Sequence, residues 1–332
     1  MGPEADVDVI GFGALNLDVI HRVEAVEAAG LTPGAEVIGE EGGMDALSAR
    51  LWELGGPPVS VSAGGSAANT VHALRRMGLL TGYMGAVGED EAAGELAEGL
   101  GDGMYMGLVR RGRSGRTLIA VGPDGDRSIV VFPGANDTLS PHDVDHILLA
   151  RARIVHLSAF VGDLPLEAQV EAMSRLPKDI TVSLDPGALY SLRGREGIAP
   201  LLERADVVLP GEEELLLLTG AGDRSEGAHI LMDMGVGTVV VKLGSRGMHT
   251  YWPEGEYHLD ARPVAVAGDS VGAGDVADAG YLAGMLASIP PADCTLLAHM
   301  CAVESLAGHG RDTYPDASFL TTYVDELRAR GR

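Results

Sequence analysis

The chain has 332 residues, of which 46% are hydrophobic, 22% charged and 4% aromatic, the composition of a globular protein whose core is filled by aliphatic side chains. Its 48 acidic against 24 basic side chains leave a formal charge of −24, which excludes a basic face for nucleic acid. No apolar run is long enough to cross a membrane and the acidic start, Met1 to Asp8, lacks the basic region of a secretion signal, so a cytoplasmic location is expected.

Val7–Gly13 reads as a short apolar strand closing in a glycine turn. Gly11-Phe-Gly13-Ala-Leu-Asn16 resembles a dinucleotide fingerprint, but the third glycine is missing and an extended pattern, not a helix, follows. A dehydrogenase binding NAD(P) at 11–16 is the competing reading for this segment. Asn16 and Asp18 lie beyond the first strand, where open α/β sheets bind ligands. Residues 32–63 carry scattered Gly and Pro, with one helix expected over 43–54. Gly64-Gly65-Ser-Ala-Ala-Asn69 then opens a helix marked by Ala68, Val71, Leu74 and Met77 and ended by Gly78. Paired glycines let backbone approach a polyhydroxylated ligand, and an Asn on the following helix offers both a donor and an acceptor.

A strand over 80–87 and a helix over 90–100 come next. Residues 105–133 alternate as antiparallel strands, with 116–122 and 126–132 flanking a Pro-Asp-Gly turn. Together 32–63 and 105–133 are expected to form one small β-sheet, a lid at the edge of the main sheet. Strands over 153–157, 180–184, 206–209 and 238–243 alternate with helices over 166–176, 212–218 and 226–234. Helices over 274–287, 292–307 and 316–329 close the chain. This alternation predicts a mainly parallel sheet covered on both faces, a three-layer α/β/α fold in a single domain spanning 1–332. Cys294 and Cys301, seven apart on one helix and without a Cys/His cluster, read as buried thiols.

The richest segment is Asp269-Ser-Val-Gly-Ala-Gly-Asp275. Gly272, Ala273 and Gly274 expose backbone N–H groups at a helix start, where the helix dipole favours a phosphate. Asp275 stands in the first turn beside that anion site, placed to accept a proton from an attacking hydroxyl. No Walker A sequence and no protein-kinase H-R-D or D-F-G set accompanies it.

This segment resembles the C-terminal signature D-T-x-G-A-G-D of the ribokinase-like (PfkB) carbohydrate kinases, departing from it in Val276-Ala277 where members often carry Ala-Phe. Gly64-Gly65 to Asn69 is similar to the family's N-terminal G-G-x-x-x-N motif. The resemblance implies a kinase in which Asp275 is the base and residues 272–274 stabilise the transferring phosphoryl group. It also implies that Asp18, Gly64, Gly65 and Asn69, with Asn16 nearby, hold a sugar or nucleoside. Leu209-Pro-Gly211-Glu-Glu-Glu214 resembles the N-x-x-E motif of the magnesium network: Glu214 keeps the acidic position, while Gly211 replaces the asparagine. Val240-Val-Lys242-Leu-Gly244-Ser-Arg-Gly247 looks like the turn beside the nucleotide phosphates, and Asp185 is either part of the magnesium network or structural. Mg2+ and ATP are the implied cofactors, with ADP as donor in some archaeal relatives. A ribose-containing acceptor is expected. A phosphorylated sugar gripped by Arg116, Arg127 and Arg311 is the alternative, as is a non-catalytic sensor on the same fold. A homodimer through the lid is a further expectation.

Overall fold

A computed structural model of the chain describes residues 6–101, 104–124, 126–261, 272–308 and 310–330. Asp269, Ser270 and Val271 of the signature lie outside the described residues, whereas Gly272 to Asp275 lie within them. The strands, in chain order, are β1 (Val7–Phe12), β2 (Asn16–Arg22), β3 (Glu36–Ile38), β4 (Ser60–Gly64), β5 (Thr81–Val87), β6 (Tyr105–Arg110) and β7 (Gly115–Val121). There follow β8 (Arg127–Phe132), β9 (Ala152–Ser158), β10 (Thr181–Asp185), β11 (Val207–Val208), β12 (Thr238–Lys242), β13 (Gly247–Trp252) and β14 (Gly255–Asp260).

Nine of them form the large sheet, in the order β14-β13-β12-β11-β10-β9-β1-β5-β6. Pairing is parallel from β12 to β6 and antiparallel only at β13 and β14. The central strands are near-continuous apolar runs because both faces are covered. Val7, Phe12, Val155 and Val182 pack with helices Asp163–Arg175, Glu212–Thr219 and Arg224–Asp233 in one core cluster. Val9, Ile154 and Val240 pack with helices Ser66–Arg76, Ala273–Leu286 and Pro291–Ser305 in another.

The second sheet has five strands in the order β3-β8-β7-β2-β4. Leu17, Val19, Leu118, Val130 and Phe132 on one of its faces bury against Leu96 and Leu100 of helix Ala92–Leu100. Along β2 burial alternates, with Leu17, Val19 and His21 inward and Asn16, Asp18 and Ile20 toward the cleft.

The chain distributes its strands differently from the sequence reading in two places. The small sheet draws on Asn16–Arg22 as well as on the later segments, since the first strand's glycine turn redirects the chain out of the large sheet. Tyr105–Arg110 is the parallel edge strand of the large sheet, in register with β5 from Gly82↔Tyr105 to Val87↔Arg110. Its short alternation suits either sheet, and the register with β5 is a long-range choice that local periodicity does not encode. Cys294 and Cys301 are free and buried on helix Pro291–Ser305, as expected. Among the described residues no helix is long and apolar enough to cross a membrane.

Candidate active site

Two helix N-termini meet at the carboxyl ends of the central strands. Helix Ala273–Leu286 starts from Gly272, whose φ of 82° is left-handed. A Cβ there would lie 2.5 Å from the Tyr314 hydroxyl, and the left-handed φ favours glycine. Asp275 therefore enters the first turn in a fixed place, beside the start of helix Ser66–Arg76. Ser66 Oγ donates to Asp275 Oδ1 at 2.8 Å, Asn69 Nδ2 donates to Oδ2 at 2.7 Å, and Thr70 Oγ1 donates to the Asp275 carbonyl at 3.1 Å. Burial, followed by the charge of Asp185, raises the Asp275 carboxyl to about 6, against the pull of the Asn69 and Ser66 hydrogen bonds and of Lys242. A half-buried carboxylate whose oxygens both accept hydrogen bonds, poised near neutrality, suits a proton acceptor.

The small sheet supplies the facing wall. Asp18 pairs across β2–β7 with Thr117, on the same face. Burial raises its carboxyl to about 6, opposed by the Thr117 hydrogen bond and the Arg311 charge and aided by Asp275. Gly64 pairs with Asn16, and a Cβ on it would occupy the space of the Asp18 carboxylate. Gly64 thus makes room for a protein carboxylate. Gly65 precedes helix Ser66–Arg76 with φ 110°. Asn16 is drawn into structure: its Oδ1 accepts from Asn136 Nδ2 at 3.0 Å, and Asn136 also clasps both backbone groups of Leu15 at 2.9 Å.

Lys242, at the end of β12, points into a carboxylate cluster. Its Nζ donates to Asp185 Oδ2 and to both Asp278 oxygens, each at 3.1 Å. Burial alone would depress the ammonium's pKa, but Asp185, Asp278, Glu214 and Asp275 raise it well above the ordinary lysine range. For Asp185 burial pushes the carboxyl up, but Lys242, Asp278, His156 and the Gly187 N–H together outweigh it and keep the carboxyl low. Asp278 is fully buried, and its carboxyl is pushed well up. One oxygen each from Asp185, Asp275 and Asp278 lies within 4.8 Å of the others, a hard, all-oxygen donor set of the kind that Mg2+ prefers. Glu214 lies outside this trio but close enough to feel the charges of Asp185 and Lys242; its Oε2 accepts from the Gly211 N–H at 2.6 Å, closing the start of helix Glu212–Thr219. Burial and the Asp185 charge raise its carboxyl. Gly244 and Gly247 bracket the β12–β13 turn with φ 58° and 105°.

A cleft of about 270 Å3 opens here, lined by Gly211, Glu212, Glu213, Glu214, Lys242, Leu243 and Arg246. A larger one of about 570 Å3, lined in part by Arg224, His249, Tyr251 and Glu256, carries none of the sequence-selected residues.

The structure thus gathers Asp275, Asn69, Asp18, Gly64, Gly272 and Lys242 around one centre. Arg311 joins them, donating from Nε and Nη2 to Asn69 Oδ1. Arg116 and Arg127 do not: Arg116 pairs with Leu17 on the face opposite Asp18, and Arg127 is exposed at the far end of the β7–β8 hairpin. Ser66, Thr117 and Asp278 escaped the sequence reading. Asp278 had a usable signal, an acid one helical turn after Asp275 among Val276, Ala277, Ala279 and Tyr281. The site also leaves the 11–16 segment without a dinucleotide helix, since β2 follows it directly.

A model of the pfkB family carbohydrate kinases matches residues 55–316. An uncharacterized sugar kinase of Archaeoglobus fulgidus is 32% identical over 242 residues, 71% of this chain and 95% of that one. An ATP-dependent ribose-1-phosphate kinase of Halopiger xanaduensis is 28% identical over 275 residues, covering 80% and 87%. Among solved structures, adenosine kinase from Sinorhizobium meliloti superimposes with a TM-score of 0.82 at 23% identity, covering 97% and 100% of the two chains. A putative ribokinase II from E. coli in complex with ATP and Mg2+ gives 0.79 at 19% identity, covering 96% and 99%.

Proposed function

The chain belongs to the pfkB family of carbohydrate kinases, phosphotransferases that act on a sugar or nucleoside hydroxyl, and from that premise we propose that it phosphorylates a ribose-containing acceptor with ATP. The observation that carries the reading is Asp275 held by Ser66 and Asn69 at the start of a helix. The acceptor hydroxyl gives its proton to Asp275 as its oxygen bonds to the terminal phosphorus. The bond from that phosphorus to the bridging oxygen breaks and the nucleoside diphosphate leaves. Backbone N–H groups of 272–275 face the charge on the transferring group, so positioning and electrostatics supply most of the acceleration.

ATP and Mg2+ are taken from the E. coli neighbour's complex. Asp185 and Glu214 would hold the ion from the Lys242 side, and when bound it neutralises the donor's phosphate charge. Lys242 spends its three donors on carboxylates. Its part is to keep Asp185 and Asp278 in place rather than to grip a phosphate.

The lean towards ribose rests on relatives named ribose-1-phosphate kinase, ribokinase and cytidine kinase. Beyond Asp18 and Thr117 the same sheet face carries Ile20, Ile119 and Ile129, an apolar surface suited to a base. A second reading, a phosphorylated pentose, is favoured by the Arg311 guanidinium beside the acceptor wall and by the Halopiger relative's name. The small sheet would act as a lid that excludes water, and exposed Val37, Ile38 and Val61 on its edge strands support dimerisation through it. A non-catalytic sensor would not need Asp275 so placed.

The test is turnover with pentoses, nucleosides and sugar phosphates, each with ATP and with ADP. Asp275→Asn should lose roughly three orders of magnitude or more in kcat with acceptor affinity nearly intact. A variant keeping more than about a tenth of the activity, a loss under roughly 1.4 kcal/mol, would remove Asp275 from the role of base.

A further inference from the structure

Arg311 sits in the short turn Gly310–Thr313, far from the signature motifs in sequence. Its Nε and Nη2 reach Asn69 Oδ1 at 3.1 and 2.8 Å, and Nη1 donates to the Gly99 carbonyl at 2.6 Å. A guanidinium has five N–H donors and no acceptor, so the Asn69 atom that faces it must be the amide oxygen. The other end follows. Asn69 Nδ2 then faces Asp275 Oδ2 at 2.7 Å, and an ionised carboxylate only accepts. Turned over, the amide would set N–H against N–H at Arg311 and oxygen against oxygen at Asp275. A donor-only group and an acceptor-only group thus leave the bridging amide one orientation. One of its two amide hydrogens goes to Asp275, and the second is left for the oxygen of an incoming hydroxyl.

We propose that Arg311 is a positioning residue for phosphoryl transfer, acting through Asn69: it locks the amide so that one N–H stays on the base and the other on the acceptor. The proposal rests on the reading of Asp275 as the base. A plain structural strut would need only the Gly99 bond. The double contact from Nε and Nη2 to one oxygen constrains the plane of the amide as well as its place. Lysine cannot reproduce it, because an ammonium donates as a point charge and not as a fork.

The experiment compares wild type, Arg311→Lys, Asn69→Ala and the double variant. For each, kcat and both KM values are measured across pH, alongside thermal melting. Arg311→Lys should lower kcat roughly 10–100-fold, as expected when a reacting group is misplaced. KM for the nucleotide should stay within about twofold, and added to Asn69→Ala the substitution should cost less than about a further threefold. Losses that multiply in the double variant, or a kcat within about twofold of wild type in Arg311→Lys, would overturn the proposal. Should Arg311→Lys fold poorly, Arg311→Gln, which keeps one donor to Asn69, is read by the same criteria. Asp275→Asn in the same assay separates the two readings. Activity retained there defeats the base assignment. A dead Asp275→Asn beside a wild-type-like Arg311→Lys defeats the positioning role alone.

Discussion

Two neighbouring carboxyls, Asp18 and Asp275, are both raised to about 6. For catalysis the sign is direct: on the proposal that Asp275 is the base, it works ionised, so activity is full above pH 6 and falls as pH drops through it. An acid limb with a midpoint near 6 is expected in kcat, and it should survive Asp18→Asn; a limb that disappears in that variant would assign it to Asp18. For stability the sign reverses. A folded-state pKa above the unfolded value means that the contribution is fully present below about pH 4 and is lost as pH rises through 6. At pH 7.5 the protein therefore bears the cost of an ionised, partly desolvated Asp275. Asp275→Asn should be more stable there by roughly 1–2 kcal/mol, allowing for solvent screening of a half-buried group and for the acceptor lone pairs that an amide lacks. Melting curves of the two proteins at pH 4 and 7.5 check this: the gap should open at the higher pH, and a constant gap would mean that packing is being measured instead.

Catalytic placement at this site depends on how closely its helices approach. Helices Ala273–Leu286 and Pro291–Ser305 form the most extensive helix pair, with Gly280 and Gly284 of one against Ala298, Cys301 and Cys294 of the other. A Cβ at 280 would lie 2.8 Å from the Ala298 Cα and 2.9 Å from Cys301 Sγ, and backbone cannot step aside cheaply. Gly280→Ala should cost roughly 1–3 kcal/mol through overpacking, despite alanine's better helix propensity. Gly94→Ala, on helix Ala92–Leu100 with open space around it, should instead stabilise by roughly 0.5–1 kcal/mol. Chemical denaturation of both variants tests the pair, and equal effects would sink the packing argument. The small-residue spacing at 280 and 284 was open to view in the sequence, as were most helices and the parallel strands, because period and glycine caps are local signals. The hairpin of β13 and β14 was not, since His249, His258 and Glu256 break the apolar alternation of an edge that is half exposed. The motif glycines and Asp275 were legible as local signals, as Asp278 could have been, whereas Ser66 and Thr117 owe their roles to pairings between distant segments.

At the scale of the whole molecule, the chain passes between the two sheets at 13–15, 64–65, 111–114 and 133–134. Two polar clasps stitch these crossings. Asn136, 1% exposed, binds the Leu15 N–H, the Leu15 carbonyl and the Asn16 side chain. Asp90 takes the Ser114 N–H and hydroxyl at 3.1 and 2.6 Å, and that hydroxyl in turn accepts from the Gly88 N–H. The crossings that carry the small sheet over Asp275 are therefore tied by hydrogen bonds at its root. If the small sheet serves to keep water away from the transferring phosphoryl group, loosening the root should raise wasteful hydrolysis. Asn136→Leu keeps the volume but strands both Leu15 backbone groups, each worth roughly 1–3 kcal/mol when left unpaired. The expected result is a lower melting temperature, a higher KM for the acceptor and a larger ratio of acceptor-free ATP hydrolysis to phosphoryl transfer. Asp90→Ala, loosening the second clasp, should move that ratio in the same direction. A fall in melting temperature with an unchanged ratio in both variants would show that the clasps only stabilise the fold, and that water is kept out by the bound acceptor itself.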